Sequence, residues 1–496
     1  MKNPRNIFIR TVIFNIILIS GIFSTFTKAQ QILSLEDAIE VAGKNSPAIQ
    51  ESELRLEQSR ESLNAQQAAL KSQFRLSLNP VNYQKDRQFN DLFSIYNTTQ
   101  TFQSFGTFSI TQPIIWTDAT LSLVDRLQWQ NVYSEFQDQY KRTFNNNLYL
   151  SLEQPLFTYN RTELQLKELE LNLENTMLSY SIQKLALEKD VTQSFYNVYQ
   201  QQMRLQIAED ENKNQENSYN IIKNKVDAGI AAMEELYQAE LNLATSKSDL
   251  ENQQVALDNA LDDFKILIGI SIYDEISIVA NISESPVQVD LKKAIDNGLN
   301  QRMEIRQREI DIENAQNDIV RTESTNEFYG NLSLSLGLIG TAEKFNDLYK
   351  SPTENQRVSL SFEIPLFDWG EQESLENASQ AAEKVTEINL TNEKNNIILG
   401  IRRSYRNLLN LENQIEIARQ NEKNAQLTYE INLERYKNGD LTSLDLNMYQ
   451  NQLSQSKMDL VNALINYKIE LLNLKIQSLW DFAKQEPVVP EFKKNK

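Results

Sequence analysis

Leu150-Ser-Leu-Glu-Gln-Pro155-Leu-Phe157 and Leu360-Ser-Phe-Glu-Ile-Pro365-Leu-Phe367 lie 210 residues apart and read almost alike. Each is the end of an alternating run: Leu148-Tyr-Leu150-Ser-Leu152-Glu153 in the first, Val358-Ser-Leu360-Ser-Phe362-Glu363-Ile364 in the second. Leu332-Ser-Leu334-Ser-Leu336-Gly-Leu338 and Phe74-Arg-Leu76-Ser-Leu78 repeat the pattern. Period-two alternation puts leucine on one face of a strand and serine or glutamate on the other. A soluble sheet with one wet face would read the same way. Three features point instead to a membrane β-barrel: apolar segments of about ten residues, a small hydrophilic inner face, and an export signal described below.

The 210-residue offset holds well beyond these junctions. It pairs Tyr219 with Tyr429, Gly229 with Gly439, Leu236 with Leu446, and Ser246-Lys247-Ser-Asp249-Leu250 with Ser456-Lys457-Met-Asp459-Leu460. An earlier pair, Leu35-Glu-Asp-Ala38-Ile39 and Leu291-Lys-Lys-Ala294-Ile295, is offset by 256. The chain is therefore an internal duplication. Its first copy carries 256 − 210 = 46 extra residues between about 74 and 150. Within them, Phe105-Gly-Thr-Phe108-Ser-Ile110 and Thr120-Leu121-Ser-Leu123-Val124 read as strand–turn–strand around Trp116-Thr-Asp118-Ala119, a hairpin that either enlarges the barrel or lies outside it, the second being slightly favoured.

Each copy continues into long helices. No proline or glycine occurs from Tyr159 to Lys225, and Leu164, Leu171, Leu178, Leu185, Val191, Phe195 and Val198 recur at helical spacing. That is one helix of roughly 65 residues and near 100 Å. Gly229 breaks it, and a second helix runs from about Met233 to Leu267. The second copy does the same from Gln372 to Lys437, breaks at Asn438-Gly439-Asp440 and resumes from Leu441 to Leu479, with Gly400 tolerated inside. Each pair is an antiparallel helical hairpin.

Composition limits the chemistry. Among 496 residues there is no cysteine and no histidine. Disulfides, thiol nucleophiles, Cys/His metal sites and imidazole acid–base catalysis are thereby excluded. Catalytic residues, cofactors and metal sites are all expected to be none. The 12 glycines and 10 prolines fall far below the roughly 35 and 25 of average usage, as few, very long elements require. A net charge of −19 argues against nucleic-acid binding. Lys2, Arg5 and Arg10 precede an apolar run from Thr11 to Phe26 and then Thr27-Lys28-Ala29, the pattern of a secretory signal cleaved after Ala29. The division expected is 1–29 signal peptide, 30–73 N-terminal helices, 74–157 first strand region with an extra hairpin at 105–130, and 158–268 first long helical hairpin. It continues with 269–326 connector and helices of the second repeat, 327–367 second strand pair, 368–483 second long helical hairpin, and 484–496 flexible tail.

The second copy supplies two strands and the first two to four, short of the eight of a small barrel. Open edges are not tolerated in lipid, so the barrel must be shared among copies around a symmetry axis. The fold class expected is an α+β membrane protein, with long antiparallel α-helical hairpins forming a tunnel and strands contributing to a shared β-barrel; that the barrel is trimeric and in the outer membrane is what the family resemblance given next implies.

At this point the mature chain resembles the TolC family of outer-membrane efflux proteins over nearly its whole length. The residues that carry the resemblance are Leu33-Ser-Leu35-Glu-Asp-Ala38-Ile39 with Asn45-Ser-Pro47, the two strand-to-helix junctions at Pro155 and Pro365, and Arg435-Tyr436-Lys-Asn-Gly439-Asp-Leu441-Thr442-Ser-Leu444-Asp445-Leu446. The resemblance implies a homotrimer in the cell outer membrane with a periplasmic helical tunnel. It also implies four barrel strands per chain, docking to a periplasmic adaptor protein and, through it, an inner-membrane pump. By position, Gly229, Gly439, Leu441 and Thr442 are candidates for the adaptor-docking tip, and Asp445 matches a carboxylate lining the constriction in some members. A second carboxylate expected three residues later is Met448, and an arginine that can tie the gate closed is Leu441. Glu235, with Glu234, either extends an acidic ring or favours a helix N-terminus. Asp445 in three copies would gather negative charge near one axis and attract cations; the plain alternative is a solvated acid beside a helix break.

The expected function is passive conduction through an outer-membrane channel of a tripartite efflux or type I secretion system, carrying drugs, metal ions or a polypeptide. The alternative weighed is an exported coiled-coil structural or adhesive envelope protein, which does not account for the Leu/Ser strands. A carbohydrate-acting hydrolase with paired carboxylates is disfavoured, because the acids fall at helical surface spacing.

Overall fold

The computed structural model describes residues 31–91, 94–280, 282 and 287–488. The expected signal peptide and residues 489–496 of the expected tail lie outside them. In chain order the elements are β1 (Gln31–Leu33), α1 (Leu35–Asn45), α2 (Pro47–Ala69), β2 (Gln73–Asn90), β3 (Ile95–Ile114), β4 (Ala119–Ser134), β5 (Gln139–Leu156), α3 (Arg161–Asp227) and α4 (Met233–Ile268). The second half holds β6 (Ile276–Ile278), α5 (Leu291–Gln301), α6 (Met303–Glu323), β7 (Tyr329–Ala342), β8 (Thr353–Glu363), α7 (Glu371–Asn438), α8 (Ser443–Ser478), β9 (Trp480–Asp481) and β10 (Glu486–Pro487). The chain divides into two units, one of residues up to 51, 183–297 and 400–488, the other of 52–182 and 298–399.

The second unit contains an antiparallel sheet in the order β2-β3-β4-β5-β7-β8. The registers explain its two faces. Phe74, Ile110, Leu123, Leu150 and Leu336 stand in one row across five strands. The adjacent row, on the opposite face, is Gln73, Thr111, Ser122, Ser151 and Ser335. One face is thus apolar and the other polar, as a barrel with lipid outside and water inside requires. The band of apolar residues is oblique to the rows. Leu76, the centre of the β2 apolar run, is in line with Glu354 of β8, whereas the centre of the β8 apolar run is Leu360. The slip is 360 − 354 = 6 residues over five steps between strands, close to the one residue per strand that gives a tilt of about 36°.

Two expectations need correction here. The hairpin at 105–130 does not lie outside the sheet: it is β3–β4, paired along its length to β2 on one side and β5 on the other. Strands of about ten residues were expected, yet β3 has 20 and β5 has 18. Beyond the apolar rows they continue through Thr-, Gln- and Asn-rich segments such as Asn97–Gln103, where ladder hydrogen bonds and ring contacts such as Phe102–Trp129 (5.8 Å) sustain pairing without a greasy face.

The first unit holds the core around α1. Ser34 and Asp37 form a reciprocal capping box, the hydroxyl accepting from Asp37 N–H at 3.1 Å and the carboxylate from Ser34 N–H at 3.1 Å. The Ser34 hydroxyl, which donates to the Asp37 carboxylate at 2.7 Å, and then the Ser34 N–H hold the Asp37 carboxyl below the usual carboxylate range. Ala38 and its repeat counterpart Ala294 are both fully buried. α4 ends at Gly269 in the left-handed region (φ 75°), where a Cβ would stand 2.1 Å from Asn45 O. β10 pairs with β9 and Val488 N–H donates to Leu479 O at 2.9 Å, so residues 486–488 are paired rather than the free tail expected from 484.

Candidate functional site at the turns between the long helices

The turns joining α3 to α4 and α7 to α8 share one geometry. Gly229 (φ 71°) and Gly439 (φ 87°) both occupy the left-handed C′ position. In the first turn Gly229 N–H donates to Val226 O at 2.9 Å and Ile230 N–H to Lys225 O at 2.8 Å. In the second, Gly439 N–H donates to Tyr436 O at 3.1 Å and Asp440 N–H to Arg435 O at 2.9 Å. These are Schellman closures at the same 210-residue offset. No Cβ clash restricts either glycine; the positive φ alone requires it.

The helix starts differ. α4 begins at Ala232 without a side-chain cap, whereas Thr442 caps α8. The Thr442 hydroxyl accepts from Asp445 N–H at 3.2 Å and donates to the Asp445 carboxylate at 2.7 Å. Asp445 is therefore a helix-capping acid as well as a half-buried groove residue. The groove it lines is built from both turns: Gly439, Leu441, Thr442 and Asp445 from one, Ile230, Ala231 and Glu235 from the other, with Lys225 and Tyr436 at its base. Gly229 stands beside it, exposed, and Met448 lies about one helical turn along α8, 54% exposed and outside the groove lining. Glu235 is exposed in the first turn of α4, where an acid also suits the helix N-terminus.

Two residues missed in the sequence hold the site together. Lys225 donates to Tyr436 O at 3.1 Å, closing the C-terminus of α7 from α3, and stands 5.2 Å from the Tyr436 ring centre. Tyr436 is buried, its hydroxyl 3.0 Å from that of Ser218, and burial pushes its phenol up. Behind them Ile222, Ala239, Tyr429, Leu446 and Leu453 form the apolar support. Their repeat-related spacing was the available signal: Leu446 is the counterpart of Leu236, and both pack here. Among the described residues no cluster of acids could hold a metal ion, and no helix is long and apolar enough to cross a membrane.

An amphipathic antiparallel sheet with two open edges, joined to paired long helical hairpins, defines a subunit of an outer-membrane channel. The chain matches the family described as "Outer membrane efflux protein" over residues 38–269 and 294–476, and it belongs to that family. No curated protein matches. Among solved structures, the fold is similar to the Campylobacter jejuni CmeC outer membrane channel, at 16% identity and TM-score 0.70, covering 93% of this chain and 88% of that one. VceC, an outer membrane protein of Vibrio cholerae, gives 13% identity and TM-score 0.66 over 90% and 95%. The open-state MtrE outer membrane channel of Neisseria gonorrhoeae gives 14% and 0.64 over 90% and 88%. The protein is an outer-membrane efflux channel whose helices extend into the periplasm, and the adhesive coiled-coil alternative is not favoured.

Proposed function

We propose that three copies of the chain pair β2 of one to β8 of the next, close a single barrel, and conduct substrates passively from a periplasmic adaptor and an inner-membrane pump to the exterior. The observation that carries the reading is the pair of unsatisfied edges. All eleven residues of β8 are exposed, as is nearly all of β2, including Phe74 at 69% and Val358 at 74%. In lipid such edges demand partners, and identical chains in cyclic symmetry supply them. The groove at the helical turns is the proposed constriction and adaptor contact, with Gly229, Gly439, Leu441 and Thr442 presenting the docking surface. Asp445 and Glu235 are its acids, and Met448 takes the place of a second carboxylate. Three Asp445 carboxylates around one axis would favour cations.

The test is ion conductance of the purified assembly in a planar bilayer. A cation preference is expected, falling severalfold in Asp445→Asn. A preference unchanged by that substitution removes Asp445 from the gate, and a particle whose mass equals one chain removes the shared barrel.

A further inference from the structure

The repeat offsets identify which strands are original. Adding 256 to Gln73, the start of β2, gives Tyr329, the start of β7. Adding 210 to β5 places it on β8. β2 and β5 therefore correspond to β7 and β8, and the 46 extra residues are β3, β4 and their connections. We propose that this hairpin is inserted into the barrel wall itself. On the three-fold reading above, each chain then contributes six strands and the assembly closes 3 × 6 = 18, in place of the 3 × 4 = 12 that four-stranded subunits give. Barrel diameter grows nearly linearly with strand number. The outlet is accordingly about 1.5 times wider and passes cargo of larger cross-section.

Three features place the hairpin in the lipid-facing wall. Its apolar residues stay in register with those of the original strands: Ile110 and Leu123 stand between Phe74 and Leu150, and Leu121 is opposite Leu152. Asp125 interrupts this face but accepts a hydrogen bond from Asn146 Nδ2 at 2.6 Å, so the acid is not bare. At the helix end of the sheet the inserted turn presents Trp116, 82% exposed, as the β8-to-α7 turn presents Trp369, 89% exposed. Aromatic rings at that level mark a membrane–water interface. The same turn is also wired into the strand-to-helix junction. The Asp118 carboxylate accepts from Thr162 N–H at 3.2 Å and from its hydroxyl at 2.5 Å, beside the Asn160 cap of α3. Asn160 Nδ2 donates to Ile115 O at 2.5 Å, and Gln154 Nε2 to Thr117 O at 2.7 Å. An appendage outside the wall would have no cause to share the helix cap.

Because the chain has no cysteine, a single introduced thiol reports its own surroundings. Ser122→Cys and Leu123→Cys sit on opposite faces of β4. In the full chain reconstituted in vesicles, a bimane on Leu123→Cys should be quenched severalfold by nitroxide lipid and the thiol spared by a charged aqueous reagent. Ser122→Cys should behave in the opposite way. Equal aqueous reactivity at both sites overturns the proposal. The second variant deletes residues 91–136, joining β2 to β5 as β7 joins β8. Its mass should remain three chains, and the largest polyethylene glycol able to enter from the outer side should shrink to about two-thirds in radius. An unchanged cut-off at unchanged mass overturns the widened outlet. A full-length mass other than three chains overturns the three-fold reading instead, and the two cysteines still decide whether the hairpin is in the wall.

Discussion

The two copies of the duplication have been held to different standards in their helices and in their sheet. From Tyr219 and Tyr429 through the paired turns to Ser246 and Ser456, the helical halves keep one register without a gap, and both turns close with the same Schellman hydrogen bonds. Over the strand regions the first copy has four strands and the second two. In a helix of nearly 70 residues packed along its neighbours, an insertion that is not close to a whole number of turns moves every later contact out of phase. A sheet can accept strands two at a time, since a hairpin returns the chain to the end it left and presents the same alternation to its neighbours. The helices conserve phase and the sheet conserves direction.

A sharper contrast sits at the far ends of α4 and α8. Gly269 and Leu479 are repeat counterparts, and both are left-handed C-caps, at φ 75° and 49°. One copy uses glycine because Asn45 leaves no room for a Cβ. The other places a fully buried leucine in the strained conformation, where burial offsets a cost of roughly 1–2 kcal/mol. Gly269→Ala should cost about 4 kcal/mol or more, because it adds strain and a backbone overlap. Thermal denaturation of the detergent-solubilised protein measures it. A loss below about 1 kcal/mol would mean the two caps are interchangeable.

The next contrast is between Lys475 and its counterpart Lys265. Lys475 reaches Glu188 at 3.0 Å and Asp481 at 3.5 Å, all three largely covered. Burial alone would lower its ammonium, but the two carboxylates outweigh it and hold it above the usual lysine range. Lys265 pairs with the more exposed Asp262 at 3.0 Å and with Ile272 O at 3.0 Å. Lys475→Met leaves two carboxylates facing each other and should cost about 2 kcal/mol, against about 1 kcal/mol for Lys265→Met. The sign of the pH dependence follows from the raised value. The Lys475 contribution is complete below about pH 10.5 and is lost as pH rises through the folded pKa. Melting temperatures of wild type and Lys475→Met should therefore converge above that pH; parallel curves would deny the ion triad its role.

What was legible in the sequence follows the same division. The long helices could be read because proline and glycine are missing between Tyr159 and Lys225, and the central strands because Leu and Ser alternate from Leu332 to Leu338. The outer parts of β3 and β5 were not legible: apart from Phe102 and Phe144, Asn97–Gln103 and Lys141–Asn147 are polar throughout, and only pairing makes them strands. Whether the hairpin joins the sheet could not be read either, because alternation fixes a residue's face but not the neighbouring strand. At the tip, Gly229 and Gly439 announced the turns. The Lys225 bond to Tyr436 O crosses 211 residues and leaves no local pattern. The Thr442-x-x-Asp445 cap does leave one, the S/T-x-x-D/E signature, in which the acid serves the helix start as well as carrying charge.

The inserted turn gives a smaller effect that separates wiring from width. Asp118 is itself left-handed (φ 58°), a conformation aspartate and asparagine tolerate better than alanine. Asp118→Ala removes a helix cap and adds backbone strain, and should cost about 1.5 kcal/mol. Asp118→Asn should restore most of it by keeping an acceptor for Thr162 N–H. The corresponding β8-to-α7 junction, where Asp368 accepts from Gly370 and Gln372 N–H at 3.0 Å each, has no inserted turn and should be indifferent to both. Failure of Asn to rescue would place the loss in the pairing of the hairpin and not in the cap.

The smallest effect comes from the helix starts at the tip, where the two copies differ by a single hydroxyl arrangement. Thr442→Ala removes the acceptor for Asp445 N–H and the donor to its carboxylate, costing about 1 kcal/mol of local helix stability. Ala232→Thr in the other turn should gain a comparable or smaller amount, since Ala232 already has the extended backbone (φ −78°, ψ 151°) a cap needs. Amide hydrogen exchange in the first turns of α4 and α8 resolves the two, whereas global melting will scarcely move. The pair also bears on conduction: Thr442→Ala frees the Asp445 carboxylate from its hydroxyl without removing its charge. If Asp445 acts at the pore as an anion, Thr442→Ala should leave cation preference intact or raise it while Asp445→Asn lowers it. Equal losses from both substitutions would show that the acid matters for the cap and not for the ions that pass it.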